Sequence, residues 1–291
     1  MAGLGLCVFD HYVGIKKWKT IHLNLIEKQC DLRVATKPPP IGAADWPASR
    51  GLLAWMLTDQ PPKQGDVVLE VGSGVGLTAI GLAVEWANIQ GLQVVATDVC
   101  QESLENLRFN ARTNGIEIDE ELDGDATGSL IPRLHAIQWD AAGKNAANLL
   151  PSSLLTRLTH VICADVVYHG GATDRISDGS GGFVKTLSDL FIIRPNLVVK
   201  LVLCNRFSGG AVAALSDVAG IQHRGTSLDH SLLDFERECR RHGLKFEVRR
   251  MSSEELELFE GFETKWDRTI RWLFGRGDDL LCYQVESERK N

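Results

Sequence analysis

Residues 66–78 read DVVLEVGSGVGLT, a short apolar run broken by three glycines at alternate positions. Val67, Val68, Leu69 and Val71 have the composition of a strand buried on both faces, and that strand must stop at Gly72. Gly72, Gly74 and Gly76 permit positive φ and a close approach of the backbone to whatever lies beside it. The alanine-containing apolar run LTAIGLAVEWA, starting at Leu77, predicts a helix. Strand, glycine turn and helix N-terminus in succession make a socket for a nucleotide-like cofactor.

The spacing narrows the choice of cofactor. A dinucleotide fingerprint needs its third glycine where Leu77 stands, whereas Gly76 gives G-x-G-x-G. Glu70 ends the apolar run with an acid, which would repel a pyrophosphate but suits a ligand carrying an ammonium group, such as S-adenosylmethionine (SAM). Leu92 to Val99, LQVVATDV, reads as the next strand and closes on Asp98, about twenty residues past the loop, where an acid can accept hydrogen bonds from both hydroxyls of a ribose. Any tight strand-to-helix turn can carry glycines. The two acids are what turn this one into a predicted cofactor site.

Outward from that centre, the pattern alternates strands and helices. Upstream, Leu6–Thr36 breaks into β-like pieces that predict a small sheet or hairpin cap, and KPPPIGAADW predicts an extended connector. Trp46–Leu57 predicts a helix with Pro47 in its first turn. Downstream, Val99–Asn114 predicts an amphipathic helix stopped at Asn114-Gly115, and Leu134–Asp140 a third strand. Thr159–Ala164 predicts a fourth strand running into Asp165, and Asn196–Cys204 a fifth. Helices over Phe183–Phe191, Leu228–His242 and Ser253–Glu263, and strands at LKFEVRRM and LLCYQVE, complete the pattern. This is the order of a doubly wound α/β fold, which binds ligands at the carboxyl ends of its strands. Glu70, Asp98, Asp140 and Asp165 each stand just after an apolar strand run, at that edge.

At 291 residues, 44% hydrophobic and 24% charged, the chain has the composition of a soluble globular protein, divided into a cap and connector at 1–45 and a main domain at 46–291. A net charge of −7 disfavours attraction to a nucleic-acid backbone and makes a basic protein segment the more natural partner. The acidic stretch 117–125, EIDEELDGD, is read first as a solvated loop, with docking of a basic partner as the alternative. The seven cysteines are scattered without zinc-like spacing, several among apolar residues, which points to a reducing, cytosolic or nuclear address. The start of the chain lacks a basic, apolar leader pattern, and no apolar run reaches about eighteen residues, so secretion and membrane spanning are disfavoured. The eight histidines show no metal-binding spacing.

With E-x-G-x-G-x-G at Glu70–Gly76, the chain resembles the class I SAM-dependent methyltransferases, and the resemblance covers most of its length. D-V-V-Y at Asp165–Tyr168, together with Trp46, Trp139 and the asparagines of ENLRFNARTN, narrows it to the seven-β-strand lysine methyltransferases, protein-lysine methyltransferase family 16. The resemblance implies a Rossmann-like, mostly parallel seven-stranded sheet closed by an antiparallel strand. It also implies that Glu70 with Gly72, Gly74 and Gly76 holds the amino-acid part of SAM, Asp98 the ribose and Trp139 the adenine, with Trp46 and Ala164 completing the cofactor pocket. Trp46 taken alone reads as an ordinary packing aromatic. By the same resemblance Asp165 positions the substrate amine and Tyr168 lines its path.

The expected function is transfer of a methyl group from SAM, releasing S-adenosylhomocysteine (SAH), to a lysine of a non-histone protein such as a chaperone, translation factor or metabolic protein. A small-molecule methyltransferase and a SAM-binding interaction module without turnover stay open as alternatives. The stretch Asp174–Gly182 after Tyr168 matches no particular family member, which leaves the identity of the target open.

Overall fold

The computed structural model describes residues 18–35, 46–119, 133–141, 150–167, 182–204, 230–261 and 280–288. Strands β1 (Trp18–Asn24) and β2 (Gln29–Ala35) form an antiparallel hairpin. There follow α1 (Pro47–Thr58), β3 (Val67–Val71), α2 (Leu77–Glu85), β4 (Gln93–Asp98), α3 (Gln101–Thr113) and β5 (Arg133–Gln138). The second half contributes α4 (Ser152–Leu155), β6 (Leu158–Ala164), α5 (Phe183–Ile193), β7 (Val198–Cys204), α6 (His230–Arg241), β8 (Leu244–Arg250), α7 (Ser253–Gly261) and β9 (Leu280–Ser287).

The main sheet has seven strands in the order β5-β4-β3-β6-β7-β9-β8. β3 lies at its centre, parallel to β4 and β6, and every residue of β3 is buried, as expected of a strand covered on both faces. The chain winds outward from β3 to β4 and β5, then crosses to β6 and β7 on the other side. The order therefore reverses between β3 and β6, and a crevice opens outside their carboxyl ends. β9 enters antiparallel between β7 and β8, closing the sheet as the resemblance implied.

Two hydrophobic clusters cover the sheet's faces. One joins Val68, Ala96 and Ile162 to α1, α2 and α3 and also takes in Leu23, Leu25, Cys30, Leu32 and Val34 of the hairpin, so the hairpin's apolar face is buried in the same core as the main sheet. The other packs Leu69, Val161 and Leu201 against α4, α5 and α6. Element limits follow local chemistry. α3 ends at the expected Asn114-Gly115 stop, where Gly115 has φ 70°, whereas α2 stops at Glu85, two residues before the apolar run ends at Ala87. β5 ends at Gln138, and the N–H of Trp139 adds one more bond in the same register, to the carbonyl of Asp98. All six described cysteines are free thiols. Among the described residues no helix is long and apolar enough to cross a membrane.

Candidate active site

The glycine loop leaves β3 with all three of its glycines at positive φ: Gly72 at 72°, Gly74 at 54° and Gly76 at 85°. Space as well as conformation demands them. A Cβ on Gly72 would lie 2.6 Å from Cγ1 of Val166, and one on Gly76 would lie 2.7 Å from Cγ of Leu107. The first of these contacts spans the switch point, bringing the loop after β3 against the D-V-V segment after β6. Within the loop, Ser73 N–H donates to the carbonyl of Thr97 and Gly76 N–H to that of Ser73, both at 2.8 Å.

Asp98, the last residue of β4, holds this loop from the side. Its Oδ2 accepts from the N–H of Gly74 at 2.9 Å and its Oδ1 from that of Cys100 at 2.8 Å. Burial raises its pKa, against the opposing pull of those N–H groups. An ionised carboxylate has about four acceptor positions, so capacity remains for hydroxyl groups arriving from outside.

Glu70 sits differently from the expectation of an acid at the open rim. It is the fourth of five residues in β3 and only 1% exposed, and the alternation of a strand turns it to the same face as Val68, toward α2. There its Oε2 accepts from the N–H of Ala79 at 3.0 Å, one of the donors that the start of a helix leaves without an internal partner. Burial pushes its pKa up to about 8, opposed by hydrogen bonds from Thr78 and Ala79, while the charge of Asp98 pushes the same way as burial. Glu70 thus fixes the loop to its helix from within, and any effect on a ligand's ammonium group would pass through this buried position.

Across the crevice, Ala164 ends β6 and Asp165 follows it as the one non-glycine residue with positive φ among the described residues, at 53°. Its N–H donates to the carbonyl of Val202 and its Oδ1 accepts from the N–H of Cys204 at 3.3 Å, so the strained turn is pinned to β7. Trp139 is 4% exposed and packs in the cluster on the α4–α5 face, where its indole N–H has no partner among the described residues. Trp46 is half-buried at the N-cap of α1. Tyr168 and the rest of the stretch 168–181 lie outside the described residues, as do 36–45. Asp140 is described just beyond β5, and Val99, next to Asp98, is an apolar side chain left 64% exposed at the rim.

The asparagines of α3 have a role that their sequence left unstated. Asn114 accepts from the N–H of Asp31 at 2.7 Å and donates to its carbonyl at 2.6 Å; Asn110 does the same with Arg33, at 2.7 and 3.1 Å. Asn106 donates to the Arg33 carbonyl and accepts from its Nε. Side chains four residues apart on a helix rise about 6 Å, close to the two-residue repeat of a strand at about 6.6 Å, so the amides act as an extra strand along β2. The signal was present as N-x-x-x-N-x-x-x-N at helix positions that would otherwise be apolar. At the far end of the hairpin, Lys28 Nζ donates to the carbonyls of Val84 and Glu85 at the end of α2, and the Glu85 carboxylate accepts from the N–H of Glu27.

A family model described as lysine methyltransferase matches residues 27–191, more than half of the chain, from the hairpin turn through α5. The chain belongs to the lysine methyltransferase family. Two human proteins, FAM86B2 and FAM86B1, each named as a proposed protein N-methyltransferase, are 30% identical to this family member over 130 residues, which is 44% of this chain and 36% of theirs. This chain thus aligns with little more than a third of those relatives' length. Among solved structures, phosphoethanolamine N-methyltransferase 2 of Haemonchus contortus, in complex with phosphomonomethylethanolamine and SAH, aligns with 98% of this chain and 73% of its own at 14% identity and a TM-score of 0.45. A SAM-dependent methyltransferase of Geobacter sulfurreducens in complex with SAH aligns with 82% and 90% at 16% identity and a TM-score of 0.39. The doubly wound sheet with β9 antiparallel is the architecture that the resemblance implied.

Proposed function

We propose that this lysine methyltransferase family member is a SAM-dependent N-methyltransferase that modifies a lysine side chain of a non-histone protein. The observation that supports it most is the meeting, at the switch point, of the glycine loop, Asp98 and the Asp165 turn, with Gly72 against Val166. The residues present fit the cofactor: Asp98 retains acceptor positions for ribose hydroxyls, Val99 offers an exposed apolar side chain beside it, and Ser73 Oγ and Trp139 Nε1 are buried without partners among the described residues. Among the described residues no group of three or more His, Cys, Asp or Glu side chains could hold a metal. A site of glycine backbone, carboxylates and aromatic walls is sufficient for direct displacement.

When bound, SAM supplies a methyl group made electrophilic by the adjoining sulfonium. The chain's task is alignment, which can contribute on the order of 7 to 11 kcal/mol to such a reaction. Gly72, Gly74 and Gly76 would admit the amino-acid part of the cofactor, Asp98 would hold the ribose, and Trp139, Trp46 and Ala164 would enclose the remainder. Glu70 would act by keeping the loop on α2. Asp165 would attract and orient the incoming ammonium, and Tyr168 would line its approach. A lysine amine must lose its proton before it can attack, and desolvation lowers its pKa from about 10.4. The negative charge of Asp165 opposes that fall, so its role is positioning and not abstraction of the proton.

The test is incubation of the protein with methyl-labelled SAM and, separately, a whole-cell protein extract and a filtrate of small metabolites. Label on lysine Nζ in the extract is expected. Label confined to the filtrate would replace the protein substrate with a small molecule, and no label in either pool would favour a binding module.

A further inference from the structure

Asn110 is fully buried, and its side chain joins α3 to two other elements. Its Oδ1 accepts from the N–H of Arg33 in β2, and its Nδ2 donates both to the carbonyl of Arg33, at 3.1 Å, and to that of Val75, at 2.9 Å. Val75 stands between Gly74 and Gly76, in the middle of the glycine loop. Both of its neighbours are at positive φ, and the segment has no helix or sheet of its own to fix it. Asn106 and Asn114 contact β2 from the same face of α3, but neither bonds to the loop.

We infer that Asn110 is a positioning residue for cofactor binding, through which the docked β1–β2 hairpin holds the glycine loop in its ligand-ready shape; the inference rests on the cofactor assignment above. The mechanism is a shared amide. Both carbonyls draw on the two protons of one Nδ2, so tilting the amide to follow a displaced β2 pulls it from Val75, and a loop that moves weakens the hold on β2. Coupling of this kind is reciprocal: whatever the hairpin does for cofactor affinity, the cofactor must do for the hairpin.

The test is titration of SAH into the wild type, Asn110→Ala, Asn110→Asp and Asn114→Ala by calorimetry, at a temperature where circular dichroism shows each to be folded. Asn110→Asp keeps the acceptor for Arg33 but loses both donated bonds. Asn114→Ala removes a matched asparagine from the same ladder without touching the loop. Both Asn110 variants should bind SAH at least tenfold more weakly, while Asn114→Ala lowers the melting temperature and stays within twofold of wild type in affinity. Wild-type affinity in the Asn110 variants, or an equal loss in Asn114→Ala, would overturn the inference and leave the cofactor assignment intact. A wild type that fails to bind SAH would remove both. Should the Asn110 variants not fold, hydrogen exchange on the wild type decides. Saturating SAH should slow the Asp31 and Arg33 amides more than those of β8 at the far edge of the sheet, and an equal effect at both edges would overturn the coupling.

Discussion

Glu70 joins a buried carboxyl group to the one loop on which the site depends, and its ionisation gives the stability of this protein a particular pH dependence. In the unfolded chain the group titrates near 4.5, whereas in the fold burial raises it to about 8. Below pH 4.5 both states hold the proton and stability is unaffected. Between pH 4.5 and about 8 the unfolded chain has released a proton that the native state retains, so stability falls as pH rises, and the loss is complete above about 8. Asp98, also raised by burial, adds to the same slope. Glu70→Gln keeps an acceptor for Ala79 N–H but has no proton to release, so urea midpoints measured from pH 4.5 to 8 should be flatter for the variant than for wild type. Equal slopes would show that Glu70 is ionised in the fold. The sequence carried the clue to this placement, since strand alternation puts Glu70 on the face of Val68. What it did not carry was the position of α2 over that face, which depends on packing between distant elements.

At the scale of elements, strands and helices were legible almost throughout, because β-branched runs and amphipathic periods report burial directly. The glycine turn was legible for the same local reason, and its tightest position yields a direct test. Gly76→Ala would place a methyl group 2.7 Å from Leu107 Cγ at a φ of 85°, so it should lower unfolding free energy by about 2–4 kcal/mol in urea titration. The hairpin's attachment was far less legible. The β-like pieces of Leu6–Thr36 predict a hairpin, yet nothing local in them says that side-chain amides on a helix some 80 residues away would complete its edge. A second element-scale feature lies away from the carboxyl-end crevice, where Lys200 of β7 pairs with Asp59 beyond α1. Lys200 Nζ and the Arg249 guanidinium both face the ring of Trp55, at 4.8 and 4.7 Å. Lys200 is 3% exposed but Asp59 is 46% exposed and can return to water. Lys200→Met, which refills the space, should therefore change stability by no more than about 1 kcal/mol, whereas Lys200→Ala should cost about 2–4 kcal/mol through the void it leaves. Thermal denaturation of the pair separates the two outcomes, and equal losses would mean that the charge pair and not the packing matters.

Across the whole molecule, the sheet order places one reversal between β3 and β6, and the candidate residues are drawn from the ends of the strands on either side of it. That convergence follows from topology, which is why acids spread from Glu70 to Asp165 could be grouped before any contact was known, while their individual orientations could not. The hairpin extends the unit, since its core residues join the sheet's own cluster and its β2 edge reaches the glycine loop through a single amide. The most direct measurement is calorimetric titration of SAH into the wild type and Asp98→Asn, which removes the charge and half of the acceptor capacity with little change in shape. One saturable site per chain is predicted in the wild type, with affinity lower by on the order of 10 to 100-fold in the variant, the loss expected for charge-assisted hydrogen bonds. No binding to the wild type, or equal affinity in the two proteins, would contradict a SAM site at this rim.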